Sequence, residues 1–598
     1  MRIAKTRRIL PALFAMICLL AVARPERAQA PANQAAQYNA DVAKTVVELQ
    51  QFRQTSSVHV RSQAGKEGVA TLINLNPAIN SWYLLSVAWN GTPAETAWHL
   101  ENPRPQEARI LLDEKYPSGI AVVEGHNRYS CDLFGAGPSA GALAQGRNSA
   151  QIYFPLCDGR LYLRNPAKGG RTALEATTEF LRDQVWGGEK VIVLFHHLLS
   201  DRYRETGELE AGKTAGAASD GPLPALMDST KTGRLLKPAD LGISLQSQDA
   251  EKHGLTPGAW YPAAGNPGVY VSVIEPNLIA PEILASYPKL VNKLDTVEAA
   301  SFSYLIAFDT DRLELGYALG TTHPEVGWSG SELPQMKNST LPGPDGIGNI
   351  APLISTGLID PVNGRRTIAT FTAGFKRNHG GFRFGALAMK NHGSHYGFIE
   401  SGVVLSKLQP GLATVYVLDD GSLAMKTWSD ADNNLLGRIR HARQNGVPLV
   451  EFDEAAKATA PGHLVTQWGA GNWSGSENEK LRTIRGGLAL QKNTAPGNHG
   501  KQFLIYAVFS DATPSAMARV FQAYRCNYGM LTDMNALEHT YLALYRRSGA
   551  ELTVEHLMTG MSVLDKSSGD TVVPRFLGYS DNRDFFYVMD RNQKGAKP

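Results

Sequence analysis

Short runs of β-branched and aromatic residues, each closed by Gly, Pro or Asn, recur along most of this chain. In the first half they are Ser81–Trp89, Ala108–Leu112, Gly119–Val123 and Gln151–Phe154. In the second half they are Val269–Ile274, Ser301–Phe308, Thr367–Thr372, Thr414–Leu418 and Phe503–Phe509. Runs of this length between turn formers read as strands. Val191–Leu199 is a further apolar run. Helical signals are fewer. Ala36–Phe52 carries Val42, Val46, Val47 and Leu49 at near-helical spacing. Thr172–Gln184 and Ser515–Tyr524 also read as helices, and Ile283–Leu294 is a weaker candidate that Pro288 would break. Strands with interspersed helices predict an α+β (mixed α/β) C-terminal domain, preceded by a β-rich N-terminal domain.

Residues 1–30 read as an export signal: a basic start (Arg2, Lys5, Arg7, Arg8), an apolar stretch Ile9–Val22, and a small-residue site Ala28-Gln29-Ala30. The apolar stretch is short for a membrane span. An uncleaved anchor is the alternative, because Arg24, Glu26 and Arg27 crowd the site. The segment holds six Lys and Arg against one Glu, so removing its +5 from the chain's +3 leaves −2. That balance offers no footprint for nucleic acid. The expected location is periplasmic or extracellular, with no membrane span after cleavage. An oxidising compartment permits a Cys131–Cys157 disulfide, with two buried thiols as the alternative. Cys526 is left over at a helix end, and the sequence has no C-x-x-C pair for a cysteine zinc site.

A mature chain of about 570 residues exceeds one hydrophobic core. The expected organisation is a β-rich accessory domain at 31–204, a linker and connecting segment at 205–255, and the main domain at 256–598. Gly212-Lys213-Thr214-Ala215-Gly216-Ala217-Ala218-Ser219 has linker composition. Gly207 with Gly212-Lys213-Thr214 has P-loop spacing, but no strand leads into it, so phosphate binding there is not expected.

The C-terminal half carries an ordered series of signatures. Thr370-Phe371-Thr372-Ala373-Gly374-Phe375 comes first, then Pro410-Gly411-Leu412-Ala413-Thr414 with Asp419-Asp420-Gly421. Arg443-Gln444-Asn445 follows, with Leu449-Val450 shortly after, then Arg482-Thr483-Ile484-Arg485-Gly486. The series closes on Gly529-Met530-Leu531-Thr532-Asp533. Over roughly 260–585 this order resembles the phosphodiester glycosidase family. The resemblance implies hydrolysis of a sugar-1-phosphodiester or related glycan linkage by acid–base chemistry. It implies that Arg443 and Arg482 hold the anionic group, that Gln444 and Asn445 orient the sugar, and that Gly374 and Phe375 belong to the substrate-side turn. Asp533 takes the acid–base role and Glu538 is a candidate second acid, with Asp419, Asp420 and Asp309 left open. No cofactor or metal is implied. The family's terminal Asp-Gly-Gly-Gly-Ser reads Asp533-Met534-Asn535-Ala536-Leu537 here. Either the site is filled and inactive, or Glu538 and His539 have rebuilt it.

The residues have readings of their own. A guanidinium fork suits a phosphodiester, and side-chain amides suit sugar hydroxyls. Arg438, Arg440, His441 and Arg443 would equally suit a solvated helix C-terminus, and Asp533 an ordinary cap or turn. His379, His392 and His395 could line a polar cleft or hold zinc, but loop histidines with ordinary hydrogen bonds fit better, because the stretch has no Asp or Glu at ligand spacing. No G-x-S-x-G supports a serine hydrolase. Two functions stay open: a glycan-active hydrolase, or a non-catalytic envelope glycan-binding or scaffold protein that kept the fold and lost the site.

Overall fold

In the computed structural model, residues 43–593 are described, apart from 63–64, 91–96, 113–118, 134–140, 172–220, 232, 325, 329–333, 337–342, 344, 378–395, 468–480, 494–499 and 550. The signal segment, the expected helix Thr172–Gln184, the run Val191–Leu199, the Gly212-Lys213-Thr214 segment and His379, His392 and His395 lie outside the described residues.

The largest sheet has eight strands in the order Tyr261–Pro262, Val269–Ile274, Ser303–Asp309, Lys501–Ala512, Thr483–Asn493, Tyr528–Met534, Pro448–Asp453 and Ala458–Pro461. Its central strands are apolar on both faces, and both faces are covered. Val271, Ile306, Leu488, Tyr506 and Met530 enter one core, while Tyr270, Leu305, Ala489, Ile505 and Leu531 enter another. The second of these cores lies under helix Pro514–Ala523, whose ten residues are all buried. Thr513 caps that helix by accepting the Ala516 N–H, and Pro514 at the first turn needs no donor.

The first core is shared with two five-stranded sheets. One runs Leu313–Ala318, Phe585–Asp590, Thr367–Thr372, Leu542–Ser548 and Glu551–His556. The other runs Val403–Ser406, Phe398–Glu400, Ile439–Gln444, Ala413–Leu418 and Leu423–Thr427. Toward the N-terminus, six strands (Gln54–Arg61, Glu67–Asn74, Trp82–Trp89, Trp98–Glu101, Leu161–Arg164, Tyr153–Leu156) form an N-terminal sheet. It shares a separate core with a three-stranded sheet of Ala108–Leu112, Ile120–Glu124 and Asn127–Cys131. The Cys131–Cys157 disulfide ties those two sheets together, and Cys526 is a buried free thiol. The described residues belong to one compact unit, Ala43–Pro598.

The α+β expectation is corrected to a β-rich fold, with 43% strand against 16% helix in mostly antiparallel sheets. The helical signals shrink for identifiable reasons. Of the first, residues 36–42 lie outside the described residues; in the described part the helix is Val46–Leu49, and the chain becomes a strand from Gln54. The one before Pro288 is a single turn, Pro281–Ala285. The described part of the expected connecting segment is packed: Leu236, Ile243, Leu245 and Leu255 sit in the first core. Gln50 donates to Val404 O at 2.7 Å and accepts Val404 N–H at 2.8 Å, so its amide covers the edge of a five-stranded sheet. Among the described residues, no helix is long and apolar enough to cross a membrane.

Candidate functional site

The site begins with an irregular pairing. Strand Tyr528–Met534 pairs with Thr483–Asn493 such that Leu531 faces Gly487 and Met534 faces Arg485. Gly486 alone therefore stands opposite Thr532 and Asp533, which defines a β-bulge. A side chain at Gly486 has no room: a Cβ there would lie 2.4 Å from Thr532 Oγ1 and 2.9 Å from the Tyr506 hydroxyl. Met534 enters the core under helix Pro514–Ala523, where its Sδ accepts from Arg485 Nη1 at 2.8 Å. Arg485 is buried without a carboxylate hydrogen-bonded to it in the described contacts, and burial pulls its guanidinium down to about 9.

Asp533 is buried beside Arg583. Its Oδ2 accepts from Arg583 Nη1 at 2.7 Å, and its Oδ1 accepts the Met534 N–H at 2.8 Å. Arg583 Nη2 donates to His539 Nε2 at 2.7 Å, and His539 Nδ1 lies 2.5 Å from Met534 O. An acceptor at Nε2 and a carbonyl at Nδ1 assign the His539 proton to Nδ1. Glu538 is buried next door, and its carbonyl accepts from Arg575 Nη1 at 2.7 Å. Arg575 in turn grips Asp581 with two hydrogen bonds of 2.8 and 3.2 Å, and Asp581 accepts the Arg583 N–H at 2.9 Å.

Arg443 closes the other side. It is the penultimate residue of strand Ile439–Gln444 and is fully buried. Its Nε lies 3.1 Å from Asp584 Oδ2, Nη1 donates to Gln444 O at 2.5 Å, and Nη2 to Phe375 O at 2.6 Å. Asp584 also accepts the Tyr317 hydroxyl at 2.9 Å and the Gly320 N–H at 3.2 Å, and lies 2.5 Å from His323 Nδ1. Burial alone would raise the Asp584 carboxyl, but His323, then Arg443 and Tyr317, hold it down at about 2. His323 Nε2 accepts the Arg377 N–H at 2.9 Å, and burial lowers this imidazole below its ordinary value. Two buried ion pairs, Asp533–Arg583 and Arg443–Asp584, therefore converge on one dipeptide.

The structure brings Asp533, Glu538, Arg443, Gln444, Asn445, Gly374 and Phe375 into this neighbourhood. Gln444 Oε1 accepts the Gly397 and Gln409 N–H groups, and its Nε2 donates to Gln409 O and Thr414 Oγ1. Asn445 Nδ2 donates to Leu531 O at 2.8 Å and Thr532 O at 2.6 Å, while Oδ1 accepts the Phe375 N–H at 3.1 Å. A Cβ at Gly374 would lie 2.8 Å from that same Oδ1. In this arrangement the Arg-Gln-Asn triplet binds the chain itself and pins three strand ends together. Arg482 sits elsewhere, part-exposed and 3.3 Å from Asp295. Asp419 and Asp420 pair with exposed Arg438, and Asp309 lies 4.0 Å from Lys501. Among the described residues, no group of three His, Cys, Asp or Glu is placed to hold a metal ion.

Sequence reasoning missed Arg583, Asp584, Asp581, Arg575 and His323. One signal was present: Asp581-Asn582-Arg583-Asp584 is a charged run set directly against the apolar strand Phe585–Asp590. Charges flanking a buried apolar strand need partners, and here they find one another. No family model matches this chain, and no curated protein matches it.

Proposed function

We propose that this chain is an exported envelope protein that recognises a glycan without hydrolysing it. The carrying observation is the state of Asp533. It is buried, held by Arg583, and next to a histidine whose two ring nitrogens are both engaged. General acid–base catalysis needs a group free to exchange a proton within reach of substrate, and glycosidases need two carboxyl groups in contrasting protonation states. Asp584, the other carboxylate at the centre, is held ionised far below that range. The sequence resemblance across 260–585 supports a glycan as the ligand, and the signal-like N-terminus supports export.

A second reading is hydrolysis of a sugar-1-phosphodiester. One observation favours it: Asp533 and Arg443, which the resemblance joins in one site, are joined here through Arg583-Asp584. Turnover of a panel of sugar-1-phosphodiesters, measured beside calorimetric binding of the same sugars, separates the two. Binding without turnover, retained in Asp533→Asn, supports the recognition reading. Turnover abolished by Asp533→Asn replaces it with the hydrolase, and neither binding nor turnover removes the glycan assignment.

A further inference from the structure

Strand Gln54–Arg61 differs from the other sheet edges of this molecule. It is the outer strand of the N-terminal sheet and pairs along all eight residues with Glu67–Asn74, without a bulge. Gln54–Ser57, His59 and Arg61 are exposed. Among the described residues, no backbone group pairs with its outer side. Edges elsewhere are short, charged or covered. The far edge of the same sheet, Tyr153–Leu156, has four residues and contains Pro155. The eight-stranded sheet ends on Tyr261–Pro262, where Pro262 O accepts the Gln246 N–H at 2.9 Å. Its other end is Ala458–Pro461, where Gln522 Nε2 donates to Thr459 O at 3.2 Å. Gln50 covers Val404, and at the opposite edge of that sheet Gln502 Nε2 donates to Leu423 O at 2.9 Å. Leu313–Ala318 is wholly buried, and Glu551–His556 carries Glu551 and Glu555. The edges of the smaller sheets run three to five residues. Sheets avoid pairing with other chains by such devices. The stretch Gln54–Val60 has no Pro, Asp, Glu, Lys or Arg.

The unpaired groups follow from the ladder. Ser62 N–H donates to Lys66 O at 2.8 Å, and Arg61 stands opposite Glu67. Bonded pairs alternate along an antiparallel ladder. Gln54, Ser56, Val58 and Val60 therefore turn their N–H and C=O toward Glu67–Asn74. Thr55, Ser57, His59 and Arg61 turn theirs outward. Side chains alternate as well. Val58 and Val60 pack toward the core shared with the three-stranded sheet, and Thr55, Ser57, His59 and Arg61 lie on the opposite face.

We propose that this edge joins two copies of the chain, strand Gln54–Arg61 pairing antiparallel with itself about a twofold axis at Val58. An axis perpendicular to the sheet keeps inward side chains inward, so residues an even number apart stand opposite. His59 then meets Ser57 of the second copy, and Arg61 meets Thr55. Each of these pairs exchanges two N–H···O bonds, using the groups that point outward in the single copy. Val58 meets its own counterpart as a non-bonded pair, where side chains approach most closely. Ser56 meets Val60. The inner face is thereby continued across the seam with valine on valine, and the outer face sets polar on polar with no like charges opposed. That match within the strand's own sequence favours a second copy over a strand of different sequence. The two six-stranded sheets become one. The proposal stands apart from the glycan reading.

Sedimentation equilibrium of the purified protein over a concentration series should show monomer passing to dimer, with twice the chain mass at the upper end. Ser57→Pro removes an outward N–H while leaving the bonds to Glu67–Asn74 in place, and it should abolish the dimer. Val58→Cys under mild oxidation should give a covalent dimer on a non-reducing gel. A non-bonded pair holds its Cα atoms about 4.5 Å apart, within disulfide range. Thr55→Cys, whose counterpart lies far along the seam, should stay uncrosslinked. A protein that is monomeric at every concentration overturns the proposal and leaves the edge to a strand from a different protein. A dimer that survives Ser57→Pro, or that crosslinks at Thr55→Cys instead of Val58→Cys, has its interface or register elsewhere and overturns it as well. Should the proline variant not fold, as read by circular dichroism, the two cysteine variants decide.

Discussion

At the residue scale, Arg583 is the pivot: one guanidinium holds Asp533 and His539 at 2.7 Å each. Removing one member of a buried ion pair leaves an uncompensated charge, a loss of about 3–5 kcal/mol. Arg583→Met should therefore lower unfolding stability by about that much, measured by urea denaturation. Asp533→Leu combined with Arg583→Met should cost less than the two single losses added, by about 0.5–3 kcal/mol. Strict additivity would show that the two side chains are not coupled. The same scale explains what a sequence motif can and cannot reveal. Arg443-Gln444-Asn445 stands out in the sequence because its residue types are those that bind phosphates and sugars. They are also the types that satisfy buried carbonyls, and in the fold Arg443 donates to Gln444 O and Phe375 O while Asn445 donates to Leu531 O and Thr532 O. Residue type names the hydrogen bonds available, and only the fold names the partner.

At the scale of elements, the bulge at Thr532–Asp533 depends on Gly486. Gly486→Ala would drive a methyl against Thr532 Oγ1, and overpacking of this kind costs about 1–3 kcal/mol. Thr532→Ala in the same chain should recover most of that loss; a double variant no better than Gly486→Ala would place the strain elsewhere. Thermal denaturation of the three variants decides it. The disulfide makes a second prediction. Cys131 and Cys157 are 26 residues apart and join two sheets around one core. Replacing both by Ala should cost about 3–4 kcal/mol on the loop-entropy scale, read from denaturation under non-reducing conditions. Strands were legible because their edges are written in Gly, Pro and Asn: Ala108–Leu112, Val269–Ile274 and Thr367–Thr372 fall where the sequence places them. The helix read at Ser515–Tyr524 forms at Pro514–Ala523. The shorter helical signals misled because a few apolar residues at helical spacing fit a single turn between strands equally well, and that weighting produced the α+β expectation. The bulge left no periodic trace at all, since one extra residue in a fully buried strand changes no apolar pattern.

At the scale of the whole molecule, buried titratable groups of opposite tendency set the pH range of stability. His99, His323 and His441 are held below their ordinary value of 6.5, in each case mainly by burial. Their folded values lie below their unfolded ones, so the unfolded chain takes up protons first on acidification. Their contribution is present above about 6.5 and is lost as the pH falls below it. Glu101 and Glu400 go the other way, raised by burial from 4.5 to about 7 and about 8. The folded state keeps their protons longer, so their contribution is complete below about 4.5 and is lost as the pH climbs through 7 and 8. Above about 6.5 the imidazole contribution is complete, so Glu101 and Glu400 leave stability falling until both carboxyls have ionised near 8. Unfolding midpoints from pH 6.5 to pH 9 should trace that descent. Glu400→Gln cannot ionise and should flatten the descent above pH 6.5. A wild-type curve that rises steadily to pH 9 would mean that water reaches Glu101 and Glu400 in the folded protein. In that case their burial could not be the resting state.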